Sequence, residues 1–146
     1  MTPSNIDKFN VYAANVLAAL YESFPVPRHL SSGAFIEGGD AAVYDPKGIT
    51  GAELMPDAMF FRSTVQWLYD AGYILCGKVY EADHADCVLT AKGLEVLSSI
   101  PGSLKNAPSL GDSLVSAVKQ SAKDGLQVAI REVISMGVKI AMRHPY

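Results

Sequence analysis

The sequence predicts an α+β fold that is mainly α-helical. Apolar residues recur every three or four positions through long stretches, two strand-like runs flank an acidic turn between residues 73 and 90, and the C-terminal part has the pattern of a long amphipathic helix. We therefore divide the chain into a domain at 1–104 and a segment at 105–146, in which a linker leads into that helix. Hydrophobic residues make up 49% of the 146 residues, which is enough for a core.

The first helix is predicted to begin at Ser4, because Ser4 and Asp7 form a start close to a capping box. Pro25 and Pro27 end it and favour an extended backbone as far as Arg28. Its buried face has helical spacing and is predicted to consist of Ile6, Phe9, Ala13, Val16, Leu20 and Phe24.

Residues 31–55 are rich in glycine and proline, which interrupt any long element. We interpret Leu30–Ile36 as a short helix and the rest of this stretch as an irregular insertion before the next long helix.

A second helix is predicted to open at Pro56 and to end at Gly72, with Phe61, Val65 and Leu68 facing inward. Two strands follow, at about 73–81 and 86–90. Thr90 then caps a helix that runs from about 91 to 100.

The last helix is predicted to start at Ser109 with Asp112 and to continue to about Arg143. Its apolar stripe suggests self-association. The candidate self-association residues are Leu110, Leu114, Val118, Leu126, Ile130 and Val133.

Three arrangements of this helix stay open. In the first, it packs on the body of the protein or on a symmetry mate. In the second, it lies on an anionic membrane surface, and in the third, its small residues, such as Gly125 and Gly137, allow close packing in a helical oligomer. The membrane surface is not the favoured partner, and the charges that interrupt the apolar run argue against a membrane span.

The stretch from about 59 to 97 resembles the winged-helix regulators of the MarR and PadR type. The matching residues are Trp67-Leu68-Tyr69-Asp70-Ala71-Gly72-Tyr73-Ile74 and Val88-Leu89-Thr90-Ala91-Lys92-Gly93. The resemblance implies a winged-helix domain with a two-stranded wing, and a protein that acts by binding rather than by catalysis.

If DNA binding carries over, the outward residues of the helix before the wing would enter the major groove. Those residues are Arg62, Ser63 and Gln66, whose side chains can hydrogen-bond to base edges. Lys78 and His84 complete the candidate set for binding DNA or another partner.

The charge distribution argues against DNA as the partner. Residues 1–104 carry six Lys or Arg against twelve Asp or Glu, a net charge of −6, whereas residues 105–146 carry six against three, a net charge of +3. The wing tip from Glu81 to Cys87 holds three acids and no Lys or Arg. Affinity for duplex DNA depends largely on cations that neutralise phosphates, so a protein partner is favoured over DNA.

Nothing in the sequence predicts an enzyme, a cofactor or a metal site. Cys76, His84 and Cys87 lack the paired spacing typical of zinc ligands, and the histidines have no evident acid–base partner. Two cysteines without a signal-like N-terminus favour a reducing, cytoplasmic setting, and a disulfide across the hairpin is geometrically feasible but disfavoured there.

The sequence therefore predicts a non-enzymatic winged-helix regulator or adaptor. It would self-associate through its C-terminal helix and bind a macromolecular partner, a protein in preference to DNA. The alternative is a DNA-binding transcriptional regulator of the winged helix-turn-helix type.

Overall fold

The computed structural model describes residues 4–50, 53–100 and 107–143. Within these ranges the chain forms five α-helices and a four-stranded antiparallel sheet, which confirms an α+β fold that is mainly α. The helices are α1 (Asn5–Ser23), α2 (Pro56–Asp70), α3 (Ala91–Ser98), α4 (Leu110–Lys119) and α5 (Lys123–Arg143). The strands are β1 (Arg28–Ser31), β2 (Ile74–Leu75), β3 (Lys78–Val79) and β4 (Asp83–Leu89). Residues 103–106 of the linker predicted at 103–108 lie outside the described residues.

Four helices begin at the residues that the sequence predicts, and in three of them, α1, α3 and α4, a hydroxyl caps the first turn. Ser4 Oγ accepts a hydrogen bond from the Asp7 amide at 3.1 Å. Thr90 Oγ1 accepts from the Gly93 amide at 3.0 Å, and Ser109 Oγ accepts from the Asp112 amide at 3.1 Å. Each cap satisfies an amide that has no partner inside its helix.

Helix α1 is the centre of the protein and is buried on more than one side. It contacts α2, α4, α5, β1 and β4. Its buried residues are Asn10, Tyr12, Ala13, Ala14, Val16, Leu17, Ala18 and Leu20. The prediction that Ile6 and Phe24 belong to its buried face is wrong, because both lie at the ends of the helix and both are exposed.

Strand β4 is the middle of the sheet and pairs with β1, β2 and β3. Strands β2 and β3 share one register with β4, since Leu75 is opposite Val88 and Lys78 is opposite Ala85. They therefore act as a single strand with an interruption at residues 76–77. Together with β4 they form the predicted hairpin, whose turn is shorter than expected because β4 already begins at Asp83.

Strand β1 was not predicted. Arg28 to Ser31 pair with β4, and a single 3₁₀ turn over Ser32–Ala34 replaces the helix expected at 30–36. A second 3₁₀ turn follows at Gly39–Ala42, and a bridge between Tyr44 and Leu54 closes the described part of the irregular stretch. This strand joins the hairpin to the chain that leaves α1.

The predicted C-terminal helix consists of two helices, the long α5 and a shorter α4 before it. They are separated at residues 120–122, where Ser121 has a φ of 52°. Helix α4 contacts α1, α3 and α5, and α5 also contacts α1 and α3. The amphipathic stripe therefore packs inside the protomer.

Glycines allow the C-terminal helices to approach aromatic side chains of the body. A Cβ at Gly137 would lie 1.9 Å from the Tyr73 hydroxyl, and a Cβ at Gly111 would lie 2.6 Å from the Tyr21 ring. The Tyr73 hydroxyl also donates a hydrogen bond to the Ile134 carbonyl at 3.4 Å. Gly137 thus serves close packing within one chain.

We expect Gly137→Ala to lower the free energy of unfolding by about 1–3 kcal/mol, because the added methyl group overpacks the contact between α5 and Tyr73. Gly125→Ala is the matched control on the same helix. Its Cβ would meet only Ala122 at 3.8 Å, so the change is expected to be neutral or to stabilise by up to about 1 kcal/mol. Urea unfolding measures both. Equal effects of the two substitutions would contradict the packing described for Gly137.

Candidate functional site

An apolar groove lies between the start of α1, one side of α2 and the middle of α5. Its volume is about 700 Å³. The residues that line it are Asn5, Ile6, Phe9, Asn10, Phe60, Ser63, Thr64, Trp67, Arg131, Ile134 and Ser135. Within each helix these residues are mostly one, three or four positions apart, so each helix contributes one continuous strip.

Aromatic side chains form the wall of the groove. The Phe9 and Trp67 rings meet edge to face with centroids 5.1 Å apart, and Trp67 stacks on Tyr73 at 6.0 Å. Because Tyr73 is held against α5, this series of rings fixes the position of Trp67 between α1 and α5. Trp67 still keeps 43% of its surface exposed, so it is available for contact with a partner.

A polar clamp at the rim fixes α1 to α5. Asn10 Nδ2 donates to Gln127 Oε1 at 2.8 Å, and Gln127 Nε2 donates to the Asp7 carbonyl at 3.1 Å. The clamp is partly buried, and loss of either amide would leave its partner unsatisfied. It keeps the two helices at the separation that leaves the groove open.

The rim also carries charges of both signs. Arg131 lies 3.9 Å from an Asp7 carboxylate oxygen, and both side chains are about half exposed or more. Lys8 pairs with Asp57 and lies over the Phe60 ring at 4.9 Å. The long and exposed Arg131–Asp7 pair contributes little to stability, so both groups are free to meet charges on another molecule.

Ile6 is the most exposed apolar residue at the groove, with 67% of its surface accessible. Met59 lies beside Phe60 on α2 and is 55% exposed. Apolar side chains that extend past a groove with aromatic walls are typical of a surface that another macromolecule covers.

The described residues that line the groove include no His, Cys, Asp or Glu side chain. Their polar groups are amides, hydroxyls and one guanidinium, and Thr64 Oγ1 is already donating to the Phe60 carbonyl at 2.9 Å. Over the described ranges, no three His, Cys, Asp or Glu side chains come close enough together to hold a metal ion.

Only one of the five predicted binding residues, Ser63, lines the groove. Arg62 and Lys78 are exposed elsewhere on α2 and β3. Gln66 Nε2 donates to an Asp70 carboxylate oxygen at 3.0 Å, which occupies its amide within α2. The five predicted binding residues therefore do not lie together at the groove.

His84 cannot be a surface contact, which corrects its prediction as a binding residue. It is 1% exposed, and neither ring nitrogen has a hydrogen-bond partner among the described residues. Burial, followed by the positive charge of Arg62, lowers the pKa of His84, whereas Asp83 acts in the opposite direction. Its ring is therefore a neutral core group.

The predicted self-association residues are corrected in the same way. Five of them are buried and Val118 is partly buried against the same core, so they pack inside one protomer. The five are Leu110, Leu114, Leu126, Ile130 and Val133. The part of α5 that reaches the groove carries Arg131, Ile134 and Ser135 instead.

Comparison with known proteins finds no matching family model, no similar curated protein and no similar solved structure. Among the described helices, none has the length and apolar character needed to cross a bilayer.

We expect the free energy of unfolding to fall as the pH drops below about 6.5, because the unfolded chain then binds a proton that buried His84 resists. The slope can reach about 1.4 kcal/mol per pH unit between the ordinary pKa and the lowered one. His84→Leu should remove this slope, whereas exposed His29→Asn should keep it. Chemical unfolding at a series of pH values between 5 and about 7.5 measures the slope of the unfolding free energy with pH. The same slope in His84→Leu and in the parent chain would refute the assignment.

Proposed function

We propose that this chain is a non-enzymatic adaptor or regulator that binds protein through the groove between α1, α2 and α5. The observation that carries the proposal is the exposure of two apolar residues that line an aromatic-walled groove, Ile6 and Trp67, with exposed Met59 next to the lining residue Phe60 on α2. Burying a single such side chain contributes about 1.5–3 kcal/mol to association, so a few of them supply a stable contact.

A second copy of the chain is the partner that the groove fits best. The surface carries both halves of a contact, a protruding Ile6 and the apolar groove beside it. It also carries an exposed cation and an exposed anion, Arg131 and Asp7. In a twofold dimer the same patch faces itself, so Ile6 of one copy enters the groove of the other and Arg131 meets the Asp7 of the second copy.

The winged-helix resemblance is part of this proposal. The order of α2, hairpin and α3 supports it, with Thr90 capping the helix after the hairpin. The end of the hairpin does not then serve as a phosphate clamp, since Glu81 in the turn and Asp83 and Asp86 in β4 make it acidic. A reducing, cytoplasmic setting, which the two free cysteines favour, also remains a proposal.

DNA binding is the second candidate. The exposed position of Arg62 and Ser63 on α2 favours it, as both side chains are accessible to base edges. The Gln66–Asp70 hydrogen bond and the acidic hairpin turn oppose it, because they remove a base-reading group and repel phosphates.

We expect the full chain to be a dimer that dissociates on dilution, and Ile6→Glu to weaken the dimer by about tenfold or more. The substitution places an acid in the first turn of α1, which favours the helix, so the fold should be retained. Val26→Glu is the matched control, because Val26 is 65% exposed and does not line the groove. Sedimentation equilibrium measures the dissociation constants.

Two outcomes would contradict the proposed dimer. One is a parent chain that stays monomeric at the highest concentrations reached. The other is a dimer that Ile6→Glu leaves unchanged or that Val26→Glu weakens equally.

We also expect no measurable binding of a random-sequence DNA duplex at low salt, because residues 1–104 carry a net charge of −6 and the hairpin that follows α2 adds three acids near its tip. Fluorescence anisotropy of a labelled duplex checks this, with Arg62→Ala as the comparison. Tight binding that weakens with salt and with Arg62→Ala would support the DNA-binding alternative and contradict the role assigned to the acidic hairpin turn.

A further inference from the structure

Two cysteine sulfurs meet inside the hairpin, and neither cysteine is among the residues that line the groove. The Sγ atoms of Cys76 and Cys87 are 2.9 Å apart, with Cys87 donating to Cys76. Both cysteines are free thiols. A disulfide bond has a sulfur separation of about 2.05 Å, so the two atoms need to approach by less than about 1 Å.

The strand register places the two residues opposite each other. Ile74 pairs with Leu89 and Leu75 pairs with Val88, so the next position brings Cys76 to Cys87. Facing residues in an antiparallel pair have Cα atoms about 4.5–5.5 Å apart. This lies within the range that a disulfide spans, so the bond requires no large backbone movement.

The sheet is interrupted beside the pair. Asp86 has a φ of 54°, and a Cβ at Gly77 would lie 2.9 Å from the Asp86 Cβ, so only glycine fits there without displacement. Strand pairing with β4 is interrupted between Leu75 in β2 and Lys78 in β3, where the Gly77 amide still donates to the Ala85 carbonyl at 2.9 Å. A covalent bond at 76–87 would bridge the interruption.

The two thiols differ in access and acidity. Cys76 is half-buried, whereas Cys87 is buried completely. The hydrogen bond from Cys87 lowers the pKa of Cys76, and the same bond, followed by burial, raises the pKa of Cys87. Cys76 is thus the thiol that reacts first with a molecule in solution, and the buried Cys87 is the thiol that then attacks the Cys76 sulfur.

We propose that Cys76 and Cys87 form a redox-active dithiol that is oxidised reversibly to an intramolecular disulfide by low-molecular-weight disulfides such as oxidised glutathione. The thiolate of Cys76 attacks one sulfur of oxidised glutathione, forms a mixed disulfide and releases one glutathione thiolate. Cys87 gives its proton to the first released thiolate and attacks the Cys76 sulfur. This step forms the Cys76–Cys87 bond and expels the second glutathione as a thiolate, which takes up from water the proton that Cys76 had lost on ionisation. Two protein thiols are oxidised and one glutathione disulfide is reduced to two thiols.

The bond acts on the hairpin and is independent of the proposed dimer. It closes a short loop of the unfolded chain and joins β2 to β4 where strand pairing is interrupted. Oxidation should therefore raise the midpoint of thermal unfolding, by about 5–10 °C for a chain of this size.

The test incubates the full chain with oxidised glutathione and follows it by intact-mass spectrometry and thiol alkylation. We expect the folded monomer to lose the mass of two hydrogen atoms, to lose both reactive thiols and to recover them with reduced glutathione. The unfolding midpoint should rise in the oxidised form. An oxidised chain that keeps a glutathione adduct, or that forms only bonds between chains, would overturn the proposal.

Two variants test the assigned roles. Cys87→Ala should stop at a stable glutathione adduct on Cys76, because no second thiol resolves it. Cys76→Ser should remain unmodified while folded, because the remaining thiol is buried. Rapid adduct formation in folded Cys76→Ser would contradict the roles, and circular dichroism of each variant establishes that it is folded.

Discussion

The rest of the structure depends on the burial of α1. This helix contacts α2, α4, α5 and two strands, so it is covered from several directions. Its alanines make this feasible, since Ala13, Ala14 and Ala18 are at most 2% exposed and let neighbouring helices approach closely. A helix that is apolar on more than one side is stable only when other elements cover it. Helices α4 and α5 are therefore part of the core of the protein.

This constraint determines which surface is left for binding. The apolar stripe of α5 packs against α1 and α3. The part of α5 that reaches the groove is therefore the edge of the helix that carries Arg131, Ile134 and Ser135. The N-terminal turn of α1 leaves Ile6 exposed beside the groove. The groove is formed where the central helix is incompletely covered. It unites residues that are far apart in the sequence and become neighbours only through the packing of α1.

Local signals in the sequence predicted the helix starts well. A hydroxyl at Ser4, Thr90 or Ser109 acts within one turn, and a pattern of that length can be read directly. The break between α4 and α5 has no such signal. Ser121 takes a positive φ without a glycine or proline at 120–122, so the packing of two helices on α1 decides where the chain turns.

The candidate site was only partly predictable from the sequence, because here too the packing of the whole chain overrides the local pattern. Strict alternation along β4, counted back from buried Leu89 and Cys87, would turn His84 outward. The positive φ of Asp86 shifts the phase and turns His84 into the core. Likewise, the helical spacing of Leu114 and Ile130 indicated an apolar face correctly, but spacing cannot tell whether that face meets the same chain or another one.

The burial of α1 is tested most sharply by the folding of a chain that ends at Pro108 and so lacks α4 and α5. If these helices complete the core around α1, the shortened chain should lose its cooperative unfolding transition and expose its apolar residues to a hydrophobic dye. If it unfolds cooperatively with a stability close to that of the full chain, then α4 and α5 are an appendage. That result would contradict the dependence of the fold on the packing of α4 and α5 against α1.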